Sequence, residues 1–273
     1  MIEIIKALLL GIIEGITEFL PISSTGHLIV AEKLINFKDV GELFTVVIQF
    51  GAIAAVIWLY RKDLWSKFVG FFKRDKAALN FWLIMVIGTI PAGIIGLLFD
   101  KTVESISQPF YVALALIVGG VVLWYVDRKP IGRERREADL SVLTKKQALL
   151  VGLGQAVAII PGVSRSAASI ISGLSVGLSR TTATTFSFYL AIPVMILASG
   201  YKLLKHAGEI SSISGGWAAL FVGVVVSFIT ALAAIKWLLR YISRNNFRGF
   251  AVYRIIAGFV IMFLILGGVL INK

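Results

Sequence analysis

Six apolar runs of membrane-spanning length constrain the fold of this 273-residue chain more than any other feature. A helix that crosses the hydrocarbon core of a bilayer needs about 20 residues, within a range of roughly 17–25. The shortest run, at 186–199, reaches that length by extending into Thr184, Thr185 and residues 200–204. We therefore predict an all-α polytopic membrane protein. The predicted spans are Leu43–Tyr60, Leu79–Phe99, Phe110–Val126, Phe186–Ser199, Trp217–Leu239 and Phe250–Ile271.

The distribution of charge argues for a membrane protein and against nucleic-acid binding. The net charge is +12, but the Lys and Arg residues concentrate in three predicted loops, with six in 61–78, seven in 127–147 and four in 236–248. Basic segments that alternate with spans follow the positive-inside rule, so we place these three on the cytoplasmic side. The chain has no cysteine, which excludes disulfides, and its two histidines argue against a structural zinc site.

Two further apolar segments are interrupted and are not simple spans. Residues 4–37 are broken at Pro21, and residues 149–178 are broken at Pro161. Each half is about a dozen residues, too short to cross a bilayer. We predict that each segment is a re-entrant helical hairpin whose irregular tip is buried in protein or lines water.

The two halves of the chain resemble each other at an offset of about 140 residues. Residues 11–14 match 152–155, 21–24 match 161–164, and 110–112 match 250–252. Each half would hold one hairpin and three spans, and an odd number of crossings inverts the second copy. We predict one membrane domain with two inverted-topology repeats, at about 1–128 and 146–273, joined by a basic cytoplasmic linker over 127–147. Broken helices of such repeats commonly meet near the midplane and form a polar site there.

The first break, at residues 14–27, carries two carboxylates, several hydroxyls and a histidine. Glu14 and Glu18 share one helix face because they are four residues apart. An ionised carboxylate in hydrocarbon costs about 2.5–3.5 kcal/mol on insertion scales, so the pair needs a cation, a proton or a water-filled cavity. A pair at a wet helix end is the alternative. Residues 23–25 supply three candidate N-caps for a half-helix that begins near Gly26 and has His27 in its first turn, where free N–H groups bind anions.

The second break carries Arg165, the one charge between Lys146 and Arg180. A buried guanidinium needs an anionic or carbonyl partner, and its planar fork suits phosphate. A salt bridge to Glu14 or Glu18 is the alternative, and the two interpretations are compatible. Arg254, within the last span, is a weaker candidate of the same kind. For phosphate binding we select Ser23, Thr25, Gly26, Ser164, Ser166 and Arg254.

Phosphate groups and carboxylates in one cavity repel each other unless a divalent cation bridges them. Mg²⁺ commonly binds through one or two carboxylates plus substrate phosphates. We therefore predict that Glu14 and Glu18 hold Mg²⁺ or Ca²⁺. A nearby hydroxyl and histidine complete the requirements of phosphoryl transfer.

The motif Glu14-Gly-Ile-Thr-Glu-Phe-Leu-Pro-Ile-Ser-Ser-Thr-Gly-His27 resembles the N-terminal signature of undecaprenyl-diphosphate phosphatases of the BacA type. Pro161-Gly-Val-Ser-Arg-Ser166 resembles their second signature, and the similarity extends over the whole chain. The resemblance implies a divalent-metal-dependent enzyme of the bacterial plasma membrane. Its substrate would be the C55 isoprenoid diphosphate, hydrolysed to the carrier lipid of cell-wall synthesis, with a link to bacitracin resistance. The family's acidic pair maps onto Glu14 and Glu18, and its hydroxyl, histidine and arginine onto Ser24, His27 and Arg165.

Two positions depart from the family pattern. Ala167-Ala168-Ser169 stands where the family commonly has Gly-Ala-Thr, and Thr185 stands where many members have Glu. We assign Thr185 no role.

The catalytic residues that we predict are Glu18, Ser24, His27 and Arg165. The predicted nucleophile is Ser24 or water, with His27 as general acid or base. A mechanism through a phosphohistidine at His27 is a further alternative, and the sequence does not distinguish among the three. The isoprenoid would lie in lipid between helices, and we expect the cavity to open outwards. We expect no nucleic-acid partner, and the sequence leaves open whether two copies form a homodimer.

A lipid flippase or secondary transporter is the main alternative function, because inverted repeats with broken helices are transporter architecture. A second membrane lipid-phosphatase superfamily needs a further His and Asp downstream of its Ser-Arg. The one other histidine in this sequence is His206, which lies in a predicted loop, so the sequence argues against that superfamily.

Overall fold

Ten α-helices make up the described chain. The computed structural model describes residues 1–39, 42–105, 108–128, 140, 143–206, 208 and 213–270, with the backbone alone for 100–105, and this part contains no strand. The helices are α1 (Ile2–Thr17), α2 (Ser24–Ile35), α3 (Leu43–Phe72), α4 (Lys76–Ser105), α5 (Pro109–Val126), α6 (Lys145–Ala156), α7 (Arg165–Ser175), α8 (Arg180–Lys205), α9 (Gly216–Ile242) and α10 (Arg248–Leu266). A short 3₁₀ turn, Val157–Ile159, follows α6.

Six of these helices, α3, α4, α5, α8, α9 and α10, are long and apolar enough to cross a membrane. They contain the six predicted spans almost entirely, so the predicted all-α multi-pass fold is confirmed. Many of their large apolar side chains are exposed around the bundle, such as Leu97, Phe221 and Phe263. Lipid would solvate this surface, since a soluble protein rarely exposes so large an apolar area.

The segment 61–78, predicted as a basic loop, is helical except at 73–75. Helices α3 and α4 continue past their apolar runs because polar contacts stabilise the extension. The Arg61 guanidinium lies 4.5 Å from the centre of the Trp58 ring, and Trp82 Nε1 donates to the Lys67 carbonyl at 3.1 Å. The linker predicted over 127–147 lies largely outside the described residues.

Four helices are too short to span a bilayer. At 1.5 Å per residue, α1 is about 24 Å long and α2, α6 and α7 are about 17–18 Å long, compared with roughly 30 Å of hydrocarbon. Helix α1 packs on α2, and α6 packs on α7. The two interrupted segments are therefore helical hairpins, as predicted, with a first tip at residues 18–23 and a second tip at residues 157–164.

Both tips end in the same local structure. Ser23 and Ser164 are the N-caps of α2 and α7, and both have a positive φ, +75° and +71°. Their hydroxyls accept hydrogen bonds from the N–H groups of Gly26 and Ala167. A positive φ is uncommon outside glycine, so its recurrence at both tips supports a structural repeat. The equivalent serines lie 141 residues apart (164 − 23), one more than the offset that aligned the two prolines.

The two halves also pack on each other reciprocally. Helix α1 of the first half packs on α9 of the second, and α6 of the second packs on α4 of the first. A Cβ added to Gly11 would lie 2.7 Å from the Gly223 carbonyl oxygen, and one added to Gly152 would lie 2.4 Å from the Gly88 carbonyl oxygen. Such paired contacts favour two repeats related by a pseudo-two-fold axis. The inversion of the second copy relative to the bilayer stays a prediction.

Replacing Gly152 with Ala is expected to lower the melting temperature of the purified protein by about 3 °C or more, because overpacking a tight contact typically costs about 1–3 kcal/mol. The added carbon meets backbone of α4, which cannot rotate away. Gly93→Ala, on α4 itself, is the matched control, since a Cβ added there would meet no neighbouring helix or side chain within 4 Å. Thermal unfolding followed by tryptophan fluorescence measures both variants, and an equal Tm for the two would contradict the close-packing argument.

Candidate active site

The two hairpin tips lie against each other in the interior of the bundle. Ser166 Oγ donates to the carbonyl of Leu20 at 2.8 Å. It also lies 3.0 Å from Ser164 Oγ and accepts a hydrogen bond from that hydroxyl. Ser166 is completely buried. These contacts join the start of α7 to the first tip, so the predicted convergence of the two breaks is present in the structure. Ser166 itself holds the tips together and does not line the cavity described below.

Glu18, Ser24 and Arg165 form a connected polar cluster where the tips meet. Glu18 Oε1 accepts from Arg165 Nη2 at 3.1 Å and Nε at 3.3 Å, and Glu18 Oε2 accepts from Ser24 Oγ at 2.5 Å. Arg165 Nη1 donates to the carbonyl of Ser187 at 3.0 Å. The guanidinium also lies 5.6 Å from the ring centre of Phe19, within cation–π range. The salt bridge considered for Arg165 is therefore formed, and its partner is Glu18.

A cavity of about 320 Å³ extends from this cluster towards the protein surface. The charged side chains at the inner end are nearly buried, with exposed fractions of 7% at Glu18 and 12% at Arg165. At the outer end, Glu42 and Lys202 form an ion pair and are 45% and 36% exposed. Glu42 and Lys202 therefore lie at the polar mouth of the cavity, and exposed Ile160 and Ala198 also line it. Other polar residues that line the cavity are Ser23, Ser24, Thr25, Glu32, Thr45, Gln49, Gln155, Ser164 and Ser199.

The mouth lies at the end of the bundle opposite the basic segment 61–78. Helix α3 begins beside Glu42 and runs away from the mouth to Phe72, whereas α8 runs towards the mouth and ends at Lys205. Asp39 shapes this end of α3, because its carboxylate accepts from the N–H groups of Phe44 at 2.6 Å and Thr45 at 2.8 Å. Burial raises the pKa of Asp39, and these two hydrogen bonds oppose that rise.

Glu14 lies one turn before Glu18 on α1 but is not among the described residues that line the cavity. It is fully buried, and neither of its carboxylate oxygens has a hydrogen-bond partner among the described residues. Such orphaned oxygens next to a second carboxylate fit a cation, because burial of a carboxylate in its ionised form is strongly unfavourable without a positive partner. The described residues contain no group of three or more His, Cys, Asp or Glu placed to hold a metal. Two carboxylates would hold Mg²⁺ or Ca²⁺ only together with substrate phosphates.

His27 does not face the cavity. Its Nδ1 lies 2.7 Å from the Ser23 carbonyl oxygen and its Nε2 lies 2.6 Å from the Tyr253 hydroxyl. The two rings are stacked, with centres 5.6 Å apart. Because a carbonyl only accepts, Nδ1 carries a proton, and a neutral His27 then accepts from Tyr253 through Nε2. The sequence placed His27 in the catalytic cluster, whereas its position on α2 turns the ring towards α10.

Arg254 also lies away from the cavity. It is 0% exposed, and its Nη atoms donate to the carbonyls of Pro21, Gly162, Val163 and Ala115 at 2.9–3.4 Å. These carbonyls belong to both tips and to α5. Arg254 therefore bridges the two tips on the side that faces α5 and does not line the cavity. In this position its Nη atoms bind carbonyl oxygens of the protein and do not reach a phosphate in the cavity.

The remaining phosphate-binding candidates divide between two environments. Ser23, Thr25 and Ser164 line the cavity, although Ser23 and Ser164 are also N-caps. Gly26 is buried, and its N–H is bonded to Ser23 Oγ at 3.4 Å, so capping already uses that donor. Sequence reasoning missed Gln155, Ser187, Lys202 and Tyr253. The position of Gln155 opposite Glu14 in the repeat was a signal that pointed to it.

Comparisons with known proteins identify the family to which the chain belongs. The family described as bacitracin resistance protein BacA matches residues 7–260. The chain belongs to the BacA family. A BacA-family relative from Acinetobacter baumannii strain ATCC 17978, named undecaprenyl-diphosphatase, is 47% identical over 262 residues and 95% of each chain. Undecaprenyl-diphosphatase 3 of Acinetobacter baylyi is 46% identical over 267 residues, covering 97% of this chain and 99% of its own. Undecaprenyl-diphosphatase 1 of Burkholderia thailandensis is 46% identical over 268 residues, covering 96% and 95%.

Proposed function

We propose that this BacA-family protein hydrolyses undecaprenyl diphosphate to undecaprenyl phosphate and inorganic phosphate. The names of its relatives support this substrate, and so does the link to bacitracin resistance in the family's description. The observation that carries the proposal is the Glu18–Ser24–Arg165 cluster, because it combines a hydroxyl, a proton acceptor and a guanidinium at the inner end of a cavity. These are the groups that phosphoryl transfer requires.

The geometry supports Ser24 as the nucleophile and Glu18 as its proton acceptor. Ser24 Oγ already donates to Glu18 Oε2 at 2.5 Å, so the proton can move to the carboxylate as the oxygen attacks the terminal phosphorus. The bond from that phosphorus to the bridging oxygen breaks, and undecaprenyl phosphate leaves. Water then attacks the phosphorus of the phosphoserine, the bond from Ser24 Oγ to phosphorus breaks, inorganic phosphate leaves, and Glu18 returns its proton to Ser24 Oγ. Arg165 stabilises the charge that develops on the phosphoryl oxygens.

In this proposal, Glu14 and Glu18 would hold a divalent cation, Mg²⁺ or Ca²⁺, which would neutralise the diphosphate. The chain's own residues supply the remaining interactions. Attack by water, and a role of His27 after it leaves Tyr253, are the alternatives within the same site.

The proposed setting is the bacterial plasma membrane, with the cavity open to the extracytoplasmic side. The position of the mouth supports this side, because it lies at the end of α3 opposite the basic segment 61–78 and basic segments face the cytoplasm. The polyprenyl chain would extend from the cavity into lipid between helices.

The test is release of inorganic phosphate from the C55 diphosphate by the purified protein in detergent, with and without a chelator of divalent cations. Detergent excludes vectorial transport, so this assay separates hydrolysis from the flippase or transporter alternative that the repeated hairpins favour. A protein that moves the lipid across vesicle membranes without releasing phosphate would contradict the proposal.

Ser24→Ala is expected to reduce kcat by at least about 10³-fold, as removal of an activated nucleophile does in serine hydrolases. The fold should persist because Ser24 is not the N-cap of α2. Ser172→Ala is the matched control, since that hydroxyl only donates to the Ala168 carbonyl within α7. If Ser24→Ala keeps more than a tenth of the wild-type kcat, water is the nucleophile and Ser24 only orients Glu18.

A further inference from the structure

Gln155 is a buried side chain on the cavity wall with no partner among the described residues. It lies at the C-terminal end of α6, is 2% exposed and lines the cavity together with Ser24 and Arg165. Neither its Nε2 nor its Oε1 makes a hydrogen bond with any described residue. Buried polar side-chain atoms are nearly always paired, so an amide left unpaired at a cavity surface indicates a ligand that pairs with it.

A second glutamine on the same helix shows the contrast. Gln147 Oε1 accepts from the N–H of Thr144 at 3.0 Å, and Gln147 Nε2 donates to the Val176 carbonyl at 3.1 Å. Its backbone N–H completes a capping box with the Thr144 hydroxyl. The protein thus satisfies the amide of Gln147, which has a structural role, whereas the amide of Gln155 has no such bonds within the described chain.

The surroundings of Gln155 indicate which ligand it binds. Arg165 gives three of its five N–H groups to Glu18 and the Ser187 carbonyl, and Ser24 donates its one hydroxyl proton to Glu18, so only part of these neighbouring donors is left for a ligand. The two N–H groups of Gln155 Nε2 have no acceptor among the described residues. A diphosphate brings several acceptor oxygens and no donor when fully ionised, so it complements these N–H groups.

The repeat supports the same conclusion. Glu14 precedes the capping Ser23 by nine residues, and Gln155 precedes the capping Ser164 by nine. The two hairpins therefore present a carboxylate and a neutral amide at equivalent positions. The carboxylate suits a cation, whereas the amide approaches a phosphate without repelling it.

We propose that Gln155 binds the diphosphate group of the substrate through its side-chain Nε2–H groups. This inference deepens the proposed hydrolysis of a prenyl diphosphate and rests on it. Gln155 contacts the substrate and is not an acid, base or nucleophile in the reaction.

The experiment compares Gln155→Leu with Gln147→Leu, both of similar side-chain size to glutamine. Gln155→Leu is expected to reduce kcat/KM for the C55 diphosphate by about 10- to 100-fold, as loss of a substrate hydrogen bond does in a buried site. Its Tm should stay equal or rise, because an apolar side chain replaces an unpaired polar one. Gln147→Leu should do the reverse, with a lower Tm and with kcat/KM per folded molecule within about twofold of wild type.

Gln155→Glu distinguishes the two ends of the amide. A carboxylate has no N–H donor and repels phosphate, so the loss should exceed that of Gln155→Leu. Full activity in Gln155→Glu would show that the carbonyl end accepts from, or coordinates, the ligand, and the proposal would be overturned. A lower Tm in Gln155→Leu with unchanged kcat/KM would overturn it too, because that result is the signature of a structural role.

A binding measurement separates this inference from the proposed function. Inorganic diphosphate with Mg²⁺ should raise the Tm of the wild type, because a ligand that binds only the folded state stabilises it, and the increase should disappear in Gln155→Leu. If the wild type releases no phosphate from the C55 substrate but shows this Gln155-dependent increase, the hydrolysis fails and the binding role stands. If Gln155→Leu keeps the full increase, the binding role fails whatever the hydrolysis assay gives.

Discussion

Arg165→Lys is expected to lower kcat/KM for the C55 diphosphate by about 10²- to 10³-fold, the range seen when one transition-state donor is removed. Lysine keeps the positive charge but not the planar fork, which here reaches Glu18 and the Ser187 carbonyl at the same time. A single ammonium cannot hold both of these acceptors and also meet a phosphoryl group. The Tm should change little, because the charge that balances Glu18 is retained.

Arg180→Lys is the matched control for that result. Arg180 also binds a buried carboxylate, since its Nε lies 2.6 Å from Asp127 Oδ1, but it lies at the start of α8 and not among the described cavity-lining residues. The control also keeps the positive charge beside its carboxylate, so its Tm should change as little as that of Arg165→Lys, and its kcat/KM should stay within about twofold of wild type. Steady-state kinetics and thermal unfolding of both variants give the comparison. If Arg165→Lys retains wild-type kcat/KM, Arg165 acts as a point charge and the argument from its fork is wrong.

Arg254→Met is expected to give the largest loss of stability among the substitutions proposed for this chain. The variant removes the Arg254 donor from the tip carbonyls of Pro21, Gly162 and Val163, and each unmade buried hydrogen bond costs roughly 1–3 kcal/mol. The Ala115 carbonyl also loses this contact but lies within α5, where the helix supplies a donor. Methionine fits the space of the side chain but offers no donor. We expect a Tm lower by about 10 °C or more, or a failure to purify as a folded protein.

Arg248→Met on the same helix controls for loss of an arginine. Arg248 is exposed and stacks 5.8 Å from the ring centre of Trp124, so its removal should change the Tm by no more than about 2 °C. Kinetics of the folded fraction of Arg254→Met add a second readout. A variant with normal Tm and abolished hydrolysis would return Arg254 to the phosphate-binding role that the sequence suggested.

Much of the architecture was predictable because its causes are local. Apolar runs of spanning length predict the six long helices, and Pro21 and Pro161 mark the places where the shorter helices cannot continue. Ser23 was one of three predicted N-caps and has that role. Ser164, selected for phosphate binding, caps α7 in the same way. The pairing of Arg165 with an acidic residue was predictable as well, because a guanidinium in an apolar segment needs a partner.

The direction in which each side chain of a short helix faces could not be predicted from the sequence, because it depends on the rotation of the helix about its own axis. His27 lies one turn after Ser24 on α2, yet one side chain meets Glu18 and the other meets Tyr253 on α10. Arg254 resembled Arg165 as a lone charge in an apolar segment. The two differ in what lies opposite them, a carboxylate beside a cavity for Arg165 and a set of buried carbonyls for Arg254.

The sequence alone determined which segments cross or enter the membrane, where they break and which residue types gather at the breaks, because hydrophobicity, proline and capping act over a few residues. The tertiary structure decided which of those residues share the cavity. That outcome depends on how α1, α6 and α7 rotate as they pack on helices from the opposite half of the chain, and on how α2 packs on α1 and α5. Gly11 and Gly152 permit those contacts because a side chain at either position would overlap the facing helix. Whether two helix surfaces fit in this way depends on which helices the fold brings together, and the sequence of one helix does not show that.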